Sequence, residues 1–221
     1  MPKNFLHAII SITLVIILTA GIIVFDVDIR LARIFYSNGT WPGIDTFPWQ
    51  FIYTYAAVPG FIMAGGGLIV LLAGFIQKSF ARYRKQALFY ILLLALGPGL
   101  VINVILKDNL GRARPREVTE FGGKYEYTQI WQRGDTGKNS SFPSGHASSA
   151  FFLIAPWFVY RNRNTILAFS FLGGGLAYGS LVGFARMLQG GHFLSDVVWA
   201  GLLVYLCGDI LAWLLKLDNS A

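Results

Sequence analysis

Along this chain long oily stretches alternate with short polar ones. Apolar residues run almost without a polar face over Phe5–Phe25, Phe51–Ile76, Ala87–Leu106, Ala147–Tyr160, Thr165–Phe184 and Phe193–Leu215. A helix in a water-soluble bundle keeps a polar stripe toward solvent, and these segments lack one. Most approach the roughly 20 residues an α-helix needs to cross a bilayer core, so the pattern predicts six spans. The fourth is short, and its ends are expected to reach into the polar residues on either side. Gly97-Pro98-Gly99 predicts a kink in the third. The first segment starts basic, at Lys3, as a signal peptide would. It is long for one and has no A-x-A-like site before Asp26, so it is expected to stay as a helix.

The predicted architecture is therefore all-α, an integral membrane six-helix bundle forming one domain over residues 1–221. Gly65–Gly67 and Gly173–Gly175 are expected where helices pack closely, because small residues let backbones approach. Trp41, Trp49 and Trp131 fall near the expected membrane–water boundaries or in outer loops. Within the long connection 107–146, Arg116–Ser141 is the one extended stretch outside the spans, and loops of that length are usually functional.

Composition agrees, with 55% hydrophobic and 13% charged residues. The +7 net charge is distributed as a topology signal. With a cytoplasmic N-terminus, the inside loops carry Lys3, then Lys78, Arg82, Arg84 and Lys85, then Arg161 and Arg163, then Lys216. The outer segment Asp26–Gln50 has only Arg30 and Arg33 among three aspartates, as the positive-inside rule expects. The charge needs no nucleic-acid partner. Cys207, the single cysteine, excludes an internal disulfide, and His7 is read as a residue of the membrane interface.

Three polar clusters interrupt the oily pattern: Lys107–Pro115, Pro143–His146 and Arg186–Asp196. The first two flank one loop. Two more crossings bring the chain to the third on the same side, predicted to be the outer, periplasmic one. Lys107 and Arg114 are seven apart and would share a face if helical, with Pro115 ending the element near Arg114. Arg112 and Arg116 are further cations in reach of the same anion. Ser144-Gly145 at a helix start offers a hydroxyl, free amides and close backbone approach to an anion, and His146 follows it. His192 and Asp196, four apart, are expected on one face of the last helix. The carboxylate would then orient the imidazole and leave one nitrogen free to attack, and an aspartate in an apolar span needs such a partner. Arg186 is in reach of the same anion. Cations to hold a phosphoryl group, one histidine to attack it and another to protonate the leaving oxygen make a metal-free phosphatase kit.

The ordered set K-D-N-L-G-R-A-R-P, F-P-S-G-H-A-S and A-R-M-L-Q-G-G-H-F-L-S-D resembles the type 2 phosphatidic acid phosphatase superfamily. It departs only at Ala185, where that family often has serine. The resemblance implies a membrane lipid phosphatase needing no cofactor or metal, acting on a lipid phosphate drawn from the surrounding membrane lipids. It assigns the nucleophile to His192, its orientation to Asp196, the general acid to His146, and phosphate binding to Lys107, Arg114, Ser144, Gly145 and Arg186. The stretch Arg116–Ser141, with Phe121-Gly122-Gly123, Tyr125, Tyr127 and Trp131, resembles the corresponding loop of bacterial lipid A phosphatases, the 4′-phosphatases before the 1-phosphatases. Undecaprenyl pyrophosphate and phosphatidylglycerol phosphate remain open as substrates, as does transfer of the phosphate to a second lipid.

Overall fold

The computed structural model describes residues 3–138 and 140–217, with side chains from Ala8 onward, so the side chains of Lys3 and His7 lie outside the described residues. The helices in order are α1 (Lys3–Val24), α2 (Val27–Phe35), α3 (Trp49–Tyr55), α4 (Val58–Ile76), α5 (Lys78–Ala81), α6 (Arg84–Leu94), a π-helical stretch Ala95–Leu106, α7 (Lys107–Leu110), α8 (Gly145–Phe151), α9 (Ala155–Tyr160), α10 (Thr165–Leu188) and α11 (Leu194–Leu214). Among the described residues no strand forms beyond isolated bridges at Ser37–Thr40 and Val118–Tyr125.

Among the described residues four helical stretches are long and apolar enough to cross a membrane: Trp49–Ile76, Arg84–Glu117, Thr165–Leu188 and Leu194–Leu214. A fifth is added if Ala8–Val24 and Val27–Phe35, bent by 66°, count as one span. Large apolar side chains such as Ile17 on α1, Ile69 on α4, Ile166 on α10 and Trp213 on α11 point outward, as lipid-facing positions do. Where a kink was expected in the third segment, the chain widens into the π-helical stretch around Pro98. The Asn103 side-chain amide donates to the Pro98 carbonyl at 2.7 Å, satisfying an acceptor that the irregular turn would otherwise expose.

The fourth apolar segment differs from the rest. It does start inside the polar motif, at Gly145, and continues through a 3₁₀ turn at Phe152–Ile154 to Tyr160. That is shorter than the roughly 20 residues of a full crossing. Instead of facing lipid it forms the core of the bundle, with Phe151, Phe152, Ile154, Phe158 and Val159 all buried. Its neighbours make room with glycine. A Cβ added at Gly179 would sit 2.1 Å from the Phe151 ring, and one at Gly208 2.4 Å from the Phe158 ring. In the two triple-glycine runs only the third residue packs closely: Gly67 against the Ala87 carbonyl and Gly175 against Ile154. Gly65, Gly66, Gly173 and Gly174 have open space beside them.

At one end of the bundle lies a folded cap. Asp26, in the left-handed region at φ 49°, turns the chain so that α2 runs away from α1 and packs on α10 and α11. Trp41, in the connection between α2 and α3, is buried with Tyr36 and Phe121 at ring distances of 5.2 and 5.4 Å. The long loop is not an open excursion. Its returning limb is hydrogen-bonded to the first motif, through Gly134 N to Leu110 O, Thr136 N to Gly111 O, Ser140 N to Lys107 O and Ser141 N to Arg112 O.

The glycine contacts make a contrast. Gly179→Ala is expected to destabilise by about 1–3 kcal/mol through overpacking. Gly173→Ala, beside open space, should be neutral or gain up to about 1 kcal/mol of helix propensity. Unfolding in detergent micelles reads both, and equal effects would contradict this packing.

Candidate active site

The three motifs meet beneath the cap, stitched by backbone hydrogen bonds. Ser141 N reaches Arg112 O at 2.7 Å, Arg116 N reaches Gly190 O at 3.1 Å, and Ser144 N reaches Asp196 O at 3.2 Å. The first motif does not continue as the helix that its seven-residue spacing assumed. Gly111, at φ 63°, ends α7 after one turn, and the chain reaches Arg114 extended, at φ −78° and ψ 156°. Lys107 and Arg114 therefore share no helical face. They converge because the chain turns back at Gly111, a conformation open to glycine and strained for most residues.

His192 and Asp196 do pair, though by a different route from the one expected. His192 precedes α11, which starts at Leu194. Asp196 sits in the helix's first turn and accepts the Phe193 amide at 2.8 Å, as an N-terminal carboxylate does. This local cap places the carboxylate 3.5 Å from His192 Nδ1. Ser141 lies between them, donating to Asp196 Oδ2 at 2.5 Å with its hydroxyl 3.5 Å from His192 Nδ1.

The largest departure from the sequence reading concerns Arg112. Only 1% exposed, it is no free anion-binding cation. One guanidinium nitrogen, Nη1, donates to Asp196 Oδ1 at 2.5 Å and Ser195 Oγ at 2.8 Å. The other, Nη2, donates to Asp28 Oδ2 at 2.9 Å. Nε takes the Thr128 carbonyl, and the plane lies 4.6 Å above the Phe193 ring. Asp28 had been counted only as an outer-loop charge. It is buried, and it also accepts the Ser195 amide at 2.9 Å and hydroxyl at 2.5 Å. A signal was present in the sequence: Asp28, Ala32 and Phe35 share the inward face of α2, so one carboxylate interrupts an apolar stripe.

In the second motif Ser144 caps α8, its hydroxyl accepting from Ala147 N at 3.4 Å. Gly145 has no space for a side chain, since a Cβ there would lie 2.2 Å from Asn103 Oδ1. His146 is half-buried and packs on Tyr53 with ring centroids 4.6 Å apart, and the Arg186 guanidinium lies 4.4 Å above the same Tyr53 ring. The sequence reading missed Tyr53, because an aromatic residue in an apolar span carries no local mark of a polar neighbour. Arg186 also donates to Gln189 and has its Nε buried with no hydrogen-bond partner.

The electrostatics tie these groups together. Burial lowers the His146 pKa to about 4, helped by the positive charges of Arg186, Lys107 and Arg114. Burial also pushes His192 down to about 3 against the pull of Asp196, with Arg186 and Lys107 adding repulsion. Both shifts favour the neutral imidazole, and Lys107 and Arg186 contribute to both. The eight residues singled out in the motifs come together; Arg116 is exposed at the surface, near enough for its charge to act on Arg186.

Fold and geometry define a helical membrane protein in which two histidines gather beside a cluster of cations. The chain belongs to the PAP2 superfamily, whose sequence profile matches residues 86–219, a stretch holding all three motifs. It is 37% identical over 188 residues to a lipid A 4′-phosphatase of Francisella tularensis subsp. novicida, covering 82% of each chain. It is 35% identical over 131 residues to a lipid A 4′-phosphatase of Rhizobium leguminosarum, covering 58% of this chain and 52% of that one. The fold is similar to the crystal structure of a transmembrane PAP2-type phosphatidylglycerolphosphate phosphatase from Bacillus subtilis, with a TM-score of 0.55 and 21% identity over 95% of this chain and 94% of that one. The family and these relatives make the chain a membrane phosphatase.

The two arginines that looked alike in sequence should separate on mutation. Arg112→Gln strands two buried carboxylates and is expected to cost about 3–5 kcal/mol. Arg116→Gln should cost no more than about 0.5 kcal/mol. Denaturant unfolding in micelles checks this, and similar losses at both sites would refute the assignment.

Proposed function

We propose that the chain removes a phosphate monoester from lipid A, acting at the outer leaflet by way of a phosphohistidine. The observation that carries the chemistry is that the three motifs meet, joined by Ser144 N to Asp196 O and Arg116 N to Gly190 O, close enough that the charges of Lys107 and Arg186 act on both His146 and His192. Asp196 and Ser141 face Nδ1 of His192, so Nε2 is the attacking atom. It bonds to phosphorus as the bond to the leaving oxygen breaks, and His146 gives that oxygen a proton. Water then attacks the phosphohistidine, passes its proton to His146, and releases phosphate with His192 neutral again. Asp196 stabilises the positive charge that develops on His192.

Lys107, Arg114 and Arg186, with Ser144 and the Gly145 amide, hold the phosphoryl oxygens and neutralise their charge, work a metal ion does elsewhere. The buried carboxylates Asp28 and Asp196 are already engaged by Arg112 and by serines. The reaction therefore runs without metal and survives chelation.

Lipid A as substrate rests on the relatives, above all the Francisella protein matched over 82% of both chains, and on the cap loop resembling theirs. In the bilayer the chain is read as one six-span domain, with Ala147–Tyr160 as the short central crossing, both termini cytoplasmic and the site periplasmic. The clustering of Lys78, Arg82, Arg84, Arg161 and Arg163 in loops opposite the site supports that orientation.

Purified protein is to be incubated with lipid A, phosphatidylglycerol phosphate and undecaprenyl pyrophosphate in mixed micelles. Phosphate release, with mass spectrometry of the lipid, should favour lipid A losing its 4′-phosphate, and preference for the glycerolipid would refute the substrate. Label retained on a second lipid, not released as phosphate, would indicate transfer. His192→Gln should lower kcat by about three orders of magnitude or more.

The proton account adds a pH dependence. Burial lowers the His146 pKa to about 4, so in this scheme its catalytic proton arrives with the substrate. A phosphate monoester keeps a proton only below its second pKa of about 6. Accordingly kcat/KM should fall as pH rises through that value, and a rate rising from acid to neutral pH would contradict the scheme.

A further inference from the structure

Asp28 lies in α2, outside the 86–219 stretch that carries the family match, and no motif contains it. Its side chain is 2% exposed. Among the described hydrogen bonds none joins it to His192, His146, Lys107, Arg114 or Arg186. Every hydrogen bond described for it runs instead to the far side of Asp196: to Arg112, to the Ser195 amide and hydroxyl, and to the Tyr127 hydroxyl.

We propose that Asp28 is a positioning residue for the phosphatase reaction, acting through Arg112 to keep Asp196 aligned with His192 and negatively charged toward it. This rests on His192 being the nucleophile. The argument is one of charge. Arg112 sits between two carboxylates, so the buried trio carries one net negative charge, and the carboxylate facing His192 retains its pull on the imidazolium that forms during attack. With the Asp28 charge gone, Arg112 and Asp196 make a neutral pair. The guanidinium is then held from one side only, free to draw Asp196 Oδ2 away from Ser141 and His192. Geometry adds a second link. Asp28 grips both the amide and the hydroxyl of Ser195, the residue before Asp196, and so fixes the start of α11 on which the carboxylate is mounted.

Asp28→Asn keeps the side chain's size and removes its charge. It is to be measured on protein that elutes as a single species and melts cooperatively. Per folded molecule kcat should fall about tenfold while KM stays within about twofold, in the range of couplings found within one hydrogen-bonded network. The loss should vanish where Asp196 is already changed: Asp196→Asn and Asp28→Asn/Asp196→Asn should turn over at the same rate. An unchanged kcat in folded Asp28→Asn overturns the inference, as does an undiminished loss in the Asp196→Asn background. A purely structural role would lower the melting point and leave kcat per folded molecule alone. Should Asp28→Asn not fold, Ser195→Ala removes the hydroxyl that joins Asp28 to Arg112 and is judged by the same kcat and KM criteria. His192→Gln is assayed alongside. If that enzyme still turns over, the nucleophile reading fails, whatever Asp28 does; if it is dead and Asp28→Asn is fully active, only the role of Asp28 fails.

Discussion

A guanidinium can leave water only if opposite charge and hydrogen-bond acceptors leave with it. Arg112 meets that condition with two carboxylates, a serine hydroxyl, a backbone carbonyl and an aromatic face. Those groups come from α2, the cap loop and the start of α11, so satisfying one side chain fixes three parts of the chain relative to each other. The extended run from Arg112 to Arg114, the bend at Asp26 that swings α2 over the site, and the placement of Asp196 are all consistent with that requirement. Around this centre the bundle can be loose on its lipid side, where apolar side chains need only match an apolar solvent.

The cationic side of the site is built differently. Arg114 pairs with Glu117, yet the charges of Lys107 and Arg186 still act on both histidines, and that of Arg114 on His146. Like charges held close to each other cost free energy that a bound phosphate would recover, a preorganised arrangement suited to a developing negative charge. Tyr53 lies under both Arg186 and His146, offering its electron-rich face to a cation and to an imidazole that becomes one. The rigid mount for the second motif is the central segment, whose aromatic rings press against Gly179 and Gly208. A helix locked this way holds His146 at a set depth.

Most of the site was legible in the sequence because its residues are ones a membrane protein has reason to avoid elsewhere. Two histidines, an intramembrane aspartate and clustered cations in an oily chain need a purpose, and the chain's alternation of oily and polar stretches predicted that they would share one end. Local geometry was less legible. The seven-residue spacing of Lys107 and Arg114 assumed a helix that Gly111 terminates, and the four-residue spacing of His192 and Asp196 was read as a helical face when it is an N-terminal cap. Both pairs still converge, by a turn in one case and by a carboxylate reaching back to the Phe193 amide in the other.

By itself, then, the sequence determined the all-helical membrane character and which residues make up the candidate site, because burial in lipid and phosphate chemistry each restrict which residue types are tolerable at a position. It could not separate Arg112 from Arg116, two further cations that it read alike. Nor could it show that Asp28 belongs to the buried network, or that the fourth apolar segment is a protein-packed core. Those were decided by the tertiary structure alone. What a charge does depends on which opposite charges surround it once water is excluded, and for Arg112 these partners lie 84 residues away on either side.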